Sequence, residues 1–177
     1  PLAIRWWQFA RPRAVLYHKI GRGHHFINHP IEWNALKKPL ERVLVMSAVS
    51  KHGAFSFIEN RYIMAHSLNI FASDDAMLFA LLQSGIHHIW ARKMSSTLET
   101  RLRYTPSSAF ETFPRPRFTS EQEQALRELG ETLHQARADV MKERWVGLTV
   151  LYNMVHNPEV VDADILRLRE LHEQVDQ

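Results

Sequence analysis

The first 104 residues of the sequence carry side chains that could contact nucleic acid at several separate places. Lysine and arginine pair with phosphate oxygens, and serine, histidine and lysine can also hydrogen-bond to base edges in a DNA groove. We therefore interpret these groups as candidate DNA-binding residues. They are Arg5, Arg11, Arg13, Ser50, Lys51, His52, Arg61, Arg103 and Tyr104.

Some of these segments also have a simpler structural interpretation. Trp6 and Trp7 could stack on bases, but packing against a neighbouring part of the protein is favoured for them. Arg11 and Arg13, which follow, are expected to contact phosphate. Residues 50–53 could form either a solvated turn or a DNA-contacting bend, because both place polar side chains on an exposed strand connection.

The charges of the chain divide into a basic first part and an acidic second part. Residues 1–104 contain 14 Lys/Arg and 6 Asp/Glu, a net charge of +8, and residues 105–177 contain 8 and 13, a net charge of −5; the two add to the overall +3. A basic surface attracts DNA through its phosphates. We therefore expect DNA binding to map to residues 1–104 and not to Arg167 or Arg169.

The periodicity of the apolar residues predicts an α+β fold. Short β-rich runs at residues 43–45, 54–58, 62–65 and 68–71 predict a small antiparallel sheet of about four strands. A helix that starts near Asp74 and runs to about residue 94 has an apolar stripe that would pack on this sheet. The bends at residues 47–53 and 59–61 would then project side chains towards DNA bases.

Residues 101–116 predict a different kind of structure. Three prolines in this run (Pro106, Pro114 and Pro116) remove backbone donors and push the preceding residues into extended conformations. We expect an extended strap with turns and no helix, whose aromatic rings, including Tyr104, pack in an apolar environment.

Three helices are predicted to follow the strap. Ser120-Glu121-Gln122-Glu123 is typical of a capping box and begins a helix that reaches Trp145. A short helix covers residues 148–155, and Asp162 caps the last helix. The predicted division is a DNA-binding domain at residues 1–116 and a C-terminal helical appendage at residues 117–177.

Four ordered segments resemble one family of enzymes. Arg103-Tyr104-Thr105-Pro106-Ser107-Ser108, followed by Phe110-Glu111-Thr112-Phe113-Pro114, resembles the C-terminal part of MmeI-like (type IIG/IIL) restriction–modification adenine DNA methyltransferases. Residues 6–13, 49–52 and 147–172 are similar to the same family in the same order. The resemblance favours DNA contact over a solvated turn at residues 50–53.

The resemblance implies a TaqI-like target-recognition region with trailing helices, cut from a larger enzyme. It implies double-stranded DNA and the enzyme's N-terminal methyltransferase domain as partners, with S-adenosylmethionine as the cofactor of that domain. The parent would be a cytoplasmic adenine-N6 DNA methyltransferase, with or without endonuclease activity. No stretch of 18 uninterrupted apolar residues predicts a membrane span.

The segment itself lacks the motifs that such catalysis needs. It has no glycine-rich turn for a methyl donor, and Asn157-Pro158-Glu159 lacks the second proline and the aromatic ring of an adenine-binding loop. It has no cysteine, which excludes disulfides and thiolate zinc sites. We expect a DNA-recognition module without cofactor, metal or catalytic residues; the alternative is a protein-interaction or assembly module with no direct base readout.

Overall fold

The computed structural model describes residues 14–23 and 38–177, and two small antiparallel sheets organise them. The mixture of helices with antiparallel strands confirms the predicted α+β class. In chain order the described elements are α1 (Ala14–Lys19), β1 (Arg42–Ser47), β2 (Val49–Ser50), β3 (Phe55–Glu59), β4 (Leu68–Phe71), α2 (Ala76–Gln83), α3 (Gly85–Met94), β5 (Ser96–Leu98), β6 (Arg101–Arg103), α4 (Pro106–Ala109), α5 (Ser120–Arg144), α6 (Leu148–Val155) and α7 (Ala163–Asp176).

The first sheet has the strand order β3-β1-β4, with β1 in the centre. Opposite Val45 stand Ser56 on β3 and Ile70 on β4, both in antiparallel register. The central strand is buried on both faces, since its residues 43–46 all lie in the interior. This explains why β1 is a continuous apolar run and does not alternate with polar residues.

Two hydrophobic clusters cover the two faces of this sheet. Val43 and Val45 pack in a small cluster with Tyr17, Ile20 and Met64. The other face belongs to the main core, which also contains the buried residues of α2 and of the C-terminal helices. Alternate residues of β1 therefore serve different clusters, as the two-residue period of a strand requires.

The strand predicted at residues 62–65 is wrong, because the segment has a bend at Tyr62 and no regular structure at residues 63–65. It is held by side chains instead of a strand ladder. Arg22 Nη1 donates to the carbonyl oxygens of Asn60 and Tyr62, the latter at 2.9 Å. Asn60 Nδ2 donates to Ile20 O and Leu40 O at 2.9 and 2.8 Å. These side-chain contacts hold the chain on either side of the segment, and Tyr62 O has a partner without joining the sheet.

The single helix predicted from Asp74 to residue 94 is two helices, α2 and α3, separated at Ser84. Ser84 is extended (ψ 153°) and caps α3, because its Oγ accepts from His87 N at 3.2 Å. The break changes which residues of the apolar stripe are buried. Ile86 and Ile89 were predicted to be core residues. They are instead 68% and 69% exposed, so this prediction is wrong.

The prediction that residues 101–116 form an extended strap with no helix is wrong. Residues 101–103 form β6, and residues 106–109 form the one-turn helix α4 with Pro106 at its start. A proline is tolerated there because the first N–H groups of a helix have no intrahelical partner. The rings of Tyr104 and Phe113 are buried, as the sequence predicts.

A second sheet, with the order β2-β6-β5, was not predicted from the sequence. Val49 on β2 and Ser96 on β5 stand opposite Arg103, the last residue of the central strand. The strands have two or three residues each, which is too short for a recognisable alternation. This sheet joins the start of the 50–53 bend to the strap.

The three C-terminal helices pack on the first part of the chain. The capping box of α5 is formed by Thr119 and Gln122, one residue earlier than predicted. Helix α6 has the predicted bounds, and Asp162 is the N-cap residue of α7 as predicted. Leu133 and Ile165 share one core with the first sheet, so this core extends across residue 116. None of the described helices is long and apolar enough to cross a membrane.

Candidate nucleic-acid interface

The bend at residues 50–53 is held in a defined conformation. Ser50 Oγ accepts a hydrogen bond from Gly53 N at 3.0 Å, and Gly53 has a left-handed backbone (φ +64°). Glycine adopts this conformation without the steric cost that a Cβ atom brings. The next strand is anchored as well, because Phe55 N donates to Gln83 Oε1 on α2 at 3.0 Å.

The two polar side chains at the tip of the bend reach helix α6. Lys51 Nζ donates to Asn153 Oδ1 at 2.6 Å, and His52 Nε2 lies 2.9 Å from the same oxygen. The His52 ring also stacks on His156, with ring centroids 5.0 Å apart. Lys51 and His52 therefore face the C-terminal helices and not open solvent alone.

These contacts form one wall of a cleft of about 470 Å³, which we call the basic cleft. The other walls come from α3 and from the turn between β5 and β6. No carboxylate lines it among the described residues. Its lining residues are Lys51, His52, His88, Arg92, Thr100, Asn153 and His156.

Positive groups in the basic cleft face one another without a neutralising partner. Arg92 Nε donates to His88 Nε2 at 2.9 Å, which requires a neutral imidazole. Burial, and then Arg92 and neighbouring histidines, lower the pKa of His88. Burial, and then His52, Lys51 and Arg169, lower the pKa of His156. Lys51 and Arg92 are two cations without a carboxylate among the described lining residues, and their charge would favour an anion.

The second sheet has a basic face, which is formed by arginines that directly follow the cleft residue Thr100 in the sequence. Arg101 and Arg103 alternate with the buried Leu102 on β6, so both side chains point outward on the same face. Arg101 is paired with Glu99 at 2.8 Å, whereas Arg103 forms no ion pair within the described ranges. The side chain of Arg103 is therefore available for a phosphate.

Arg61 lies at the other end of β3 from the 50–53 bend. It pairs with Glu59 at 2.5 Å, and its guanidinium lies 5.2 Å from the centroid of the Tyr62 ring. Strand β3 has five residues, which corresponds to roughly 13 Å between its ends. The structure therefore does not bring the two bends that were predicted to contact bases into one site.

Tyr104 is a core residue, and we leave it out of the interface. Its ring is 3% exposed, and its hydroxyl lies 3.1 Å from His87 Nε2. Burial raises the pKa of Tyr104, and burial lowers the pKa of His87 to about 4. Both groups are therefore neutral at physiological pH. The remaining predicted residues, Arg5, Arg11 and Arg13, lie outside the described residues.

Five residues of the basic cleft were not recognised as site residues from the sequence. They are His88, Arg92, Thr100, Asn153 and His156. His88 was interpreted as part of the apolar helix, and the C-terminal helices were interpreted as unsuited to phosphate. No local pattern could have joined Lys51 to Asn153, because the two are 102 residues apart. Only the similarity of residues 147–172 to the same enzyme family hinted at a role for α6.

The cleft has three imidazoles but does not have the arrangement of a metal site. Within residues 14–23 and 38–177, no group of three or more His, Asp or Glu side chains could hold a metal ion. One nitrogen of His88 is already occupied by Arg92, and His52 shares the Asn153 oxygen with Lys51. The arrangement of donors suits an anion better than a cation.

The Gly53→Ala substitution is expected to lower the free energy of unfolding by about 1–2 kcal/mol, because an alanine at φ +64° is strained. The added Cβ would also lie 3.2 Å from His88 Nδ1 and 3.3 Å from the Leu102 side chain. Denaturant unfolding measures the loss. Gly147→Ala is the matched control, because a Cβ there meets no atom within 4 Å. Equal stability of the two variants would contradict the assigned backbone of the bend.

Comparison with known proteins gives one family and one fold. The family described as "MmeI, target recognition domain" matches residues 22–117, more than half of the chain. A solved structure of the Type IIL restriction–modification enzyme MmeI in complex with DNA has a similar fold, with a TM-score of 0.61 and 23% sequence identity. The similarity covers 79% of this chain and 18% of that chain. No curated protein matches the sequence.

Proposed function

This chain belongs to the MmeI target recognition domain family, and from that premise we propose that it recognises a specific sequence in double-stranded DNA for a restriction–modification enzyme. The observation that carries the proposal is the basic cleft beside the 50–53 bend, which has no carboxylate among its described lining residues. A DNA-binding surface needs such a concentration of cations, because its partner carries regularly spaced negative charges.

In this proposal, the contacts divide between positioning and base readout. Arg103 and the cations of the basic cleft hold the phosphate backbone and set the register of the protein on DNA. The neighbouring bends present the side chains that read base edges in a groove. Anchoring of the bend through Phe55 and Gln83 supports this role, because readout needs side chains that are held in place before DNA arrives.

The chemistry of the parent enzyme is assigned to parts outside this chain. We propose that the parent is an adenine-N6 DNA methyltransferase and that its methyl donor, S-adenosylmethionine, binds in the methyltransferase domain. This chain would then contribute recognition only, while the other domain acts on an adenine taken out of the stack. The chain spans 18% of the MmeI chain that it resembles, so there is ample length for such a domain in a relative of that size.

The second candidate function is that of an assembly module, and exposed apolar side chains favour it. Trp145 is 94% exposed, at the C-terminal end of α5, and Ile86 and Ile89 are also largely exposed on α3. Exposed apolar groups of this size are common at protein–protein contacts. The two functions differ in the DNA binding that they predict. A recognition module would bind DNA with an affinity that depends on salt and on DNA sequence, whereas an assembly module would not distinguish between DNA sequences.

The function is tested by selecting duplexes from a randomised library with the 177-residue chain. Recognition predicts enrichment of one sequence motif. Salt-dependent binding without any enrichment would reduce the function to non-specific DNA contact. Absence of DNA binding would favour the assembly module.

The Arg103→Gln substitution is expected to reduce the slope of log affinity against log salt by about one unit, because one phosphate contact is lost. Arg167→Gln is the matched control, since Arg167 lies on α7 and pairs with Glu170 at 3.1 Å. Affinities of both variants for a random-sequence duplex are measured over a series of salt concentrations. An equal slope for Arg103→Gln and the native chain would remove β6 from the interface.

A further inference from the structure

We propose that the basic cleft is a binding site for a single phosphate group, built jointly by the 50–53 bend, helix α3 and helix α6. The inference rests on the proposed function in one respect, since it names a phosphate of the DNA backbone as the natural ligand. It differs from the sequence-based expectation that DNA binding maps to residues 1–104, because helix α6 belongs to the predicted C-terminal appendage. Asn153 would contact the DNA backbone directly, although it lies in the acidic part of the chain.

The first argument concerns the hydrogen-bond donors that remain unused. Arg92 uses its Nε on His88 and its Nη2 on Lys51 O, at 2.9 and 3.4 Å. Among the described residues, no acceptor pairs with Arg92 Nη1 or with Asn153 Nδ2. Lys51 Nζ has one described partner for its three protons. A phosphate oxygen accepts several N–H bonds at once, and such charge-assisted bonds are the stronger ones.

The second argument concerns charge. Lys51 and Arg92 take part in none of the ion pairs among the described residues, and both line the same cleft. Other arginines of the described residues are paired with a carboxylate, as Arg101 is with Glu99 at 2.8 Å and Arg144 with Asp164 at 2.6 Å. In the basic cleft no carboxylate of residues 14–23 and 38–177 is such a partner, so an external anion is the group that completes the site.

The third argument concerns where the anion can and cannot lie. An adjoining cavity shares His52, His88 and His156 with the basic cleft, but it is also lined by Glu173 and Asp176. Asp176 Oδ1 accepts from Gly85 N at 2.7 Å and is therefore fixed in place. Arg169 also lines that cavity, but it donates to backbone carbonyl oxygens, and the two carboxylates make the cavity less favourable for phosphate than the basic cleft. The phosphate is thus expected on the side of Lys51, Arg92 and Thr100.

Asn153 joins the 50–53 bend to helix α6 within one wall of the cleft, and it is the best position for a test. Its Oδ1 accepts from Lys51 and contacts His52, so its Nδ2 is the atom that faces away from both. Asn153→Asp keeps the oxygen acceptor and nearly the same shape. It removes the Nδ2 donor and adds one negative charge where the phosphate would bind.

Asn153→Asp is expected to weaken binding to a random-sequence duplex by about tenfold and to reduce the salt slope by about one unit. Asn157→Asp is the matched control, because it adds the same charge just after α6. Asn157 Oδ1 accepts from Glu159 N at 3.1 Å, an interaction that aspartate preserves. Arg92→Gln, on the opposite wall, is expected to reproduce the loss if Asn153→Asp fails to fold.

A second measurement uses inorganic phosphate as the probe, at constant ionic strength. Phosphate is expected to shift the imidazole resonances of His88 and His156 in the native chain and in Asn157→Asp. The same titration is expected to leave these resonances unchanged in Asn153→Asp and Arg92→Gln.

The two measurements separate the failure of the site from the failure of the function. Binding of DNA by the native chain, combined with equal behaviour of Asn153→Asp, Arg92→Gln and Asn157→Asp, would overturn the phosphate site and leave the proposed function standing. Saturable phosphate shifts without any DNA binding would support the site and overturn the proposed function. An absence of both phosphate shifts and DNA binding would overturn both.

Discussion

Gly130→Ala is expected to lower the free energy of unfolding by about 2–3 kcal/mol, because the added methyl group would overlap the backbone of a neighbouring helix. An ideal Cβ at Gly130 would lie 2.2 Å from the carbonyl oxygen of Ala76 and 3.2 Å from the Ala80 side chain. Both neighbours belong to α2, and a backbone oxygen cannot move aside as a side chain can. Helices α5 and α2 would have to separate at this point.

The substitution is informative because a glycine-to-alanine change inside a helix normally raises the stability of a protein and does not lower it. Glycine to alanine in a helix interior usually stabilises by about 1 kcal/mol. Gly147→Ala provides the comparison in open space, where the change is expected to stay within about 1 kcal/mol. Urea or guanidinium unfolding of the two variants measures the difference. If the Gly130→Ala variant had the stability of the native chain, the close approach of α5 to α2 would not be required for stability.

Arg137→Met is also expected to have a large effect. It should lower the free energy of unfolding by about 2–3 kcal/mol. Arg137 is 2% exposed and no described carboxylate pairs with it. It donates to Phe55 O at 2.8 Å and to Tyr152 OH at 2.9 Å. Methionine fills much of the same volume, but it leaves the carbonyl oxygen and the hydroxyl buried without this donor.

The Arg137 contacts connect helix α5 to β3 and to α6 at once. Tyr152 OH also lies 3.0 Å from His172 Nε2, and burial lowers the pKa of His172 to about 4, so its imidazole is neutral and can accept. The network therefore fixes the start of β3, directly after the 50–53 bend, relative to the helix that carries Asn153. Loss of Arg137 should reduce DNA affinity as well as stability.

Arg127→Met is the matched control for Arg137→Met. Arg127 lies on the same helix, but its side chain is 42% exposed and pairs with Asp75 at 3.0 Å. A surface ion pair contributes about 0–1 kcal/mol, so the control should remain within that range. Equal losses in both variants, measured by denaturant unfolding, would contradict a specific role for the buried network.

The sequence predicted the local elements well where neighbouring residues determine them. The bounds of helix α6 and the N-cap at Asp162 agree with the structure, because capping depends on a few adjacent side chains. The β1 and β3 strands follow from their apolar β-branched and aromatic residues. The family was also recognisable, since the motif at residues 103–114 is a run of consecutive residues, and the family match includes it.

The sequence predictions failed where a short segment depended on distant partners. The second sheet pairs residues about 50 positions apart, such as Val49 and Arg103, over strands too short to show a period. Ser84 is compatible either with a continuous helix or with the N-cap of a new helix. The apolar stripe favoured the continuous helix, but Ser84 caps α3. Local signals cannot decide such cases, because tertiary packing selects between two locally acceptable structures.

By itself, the sequence determined the α+β class, the segregation of charge and the kind of chemistry that Lys51 and Arg103 could perform. Only the tertiary structure decided which groups act together. It buried Tyr104, placed Arg61 at the far end of β3, and brought Asn153 within 2.6 Å of Lys51 across 102 residues. The physical reason is that charge and hydrogen-bonding capacity belong to each residue type, whereas their convergence depends on how α5, α6 and α7 pack against the sheet, and that packing is set by the whole core.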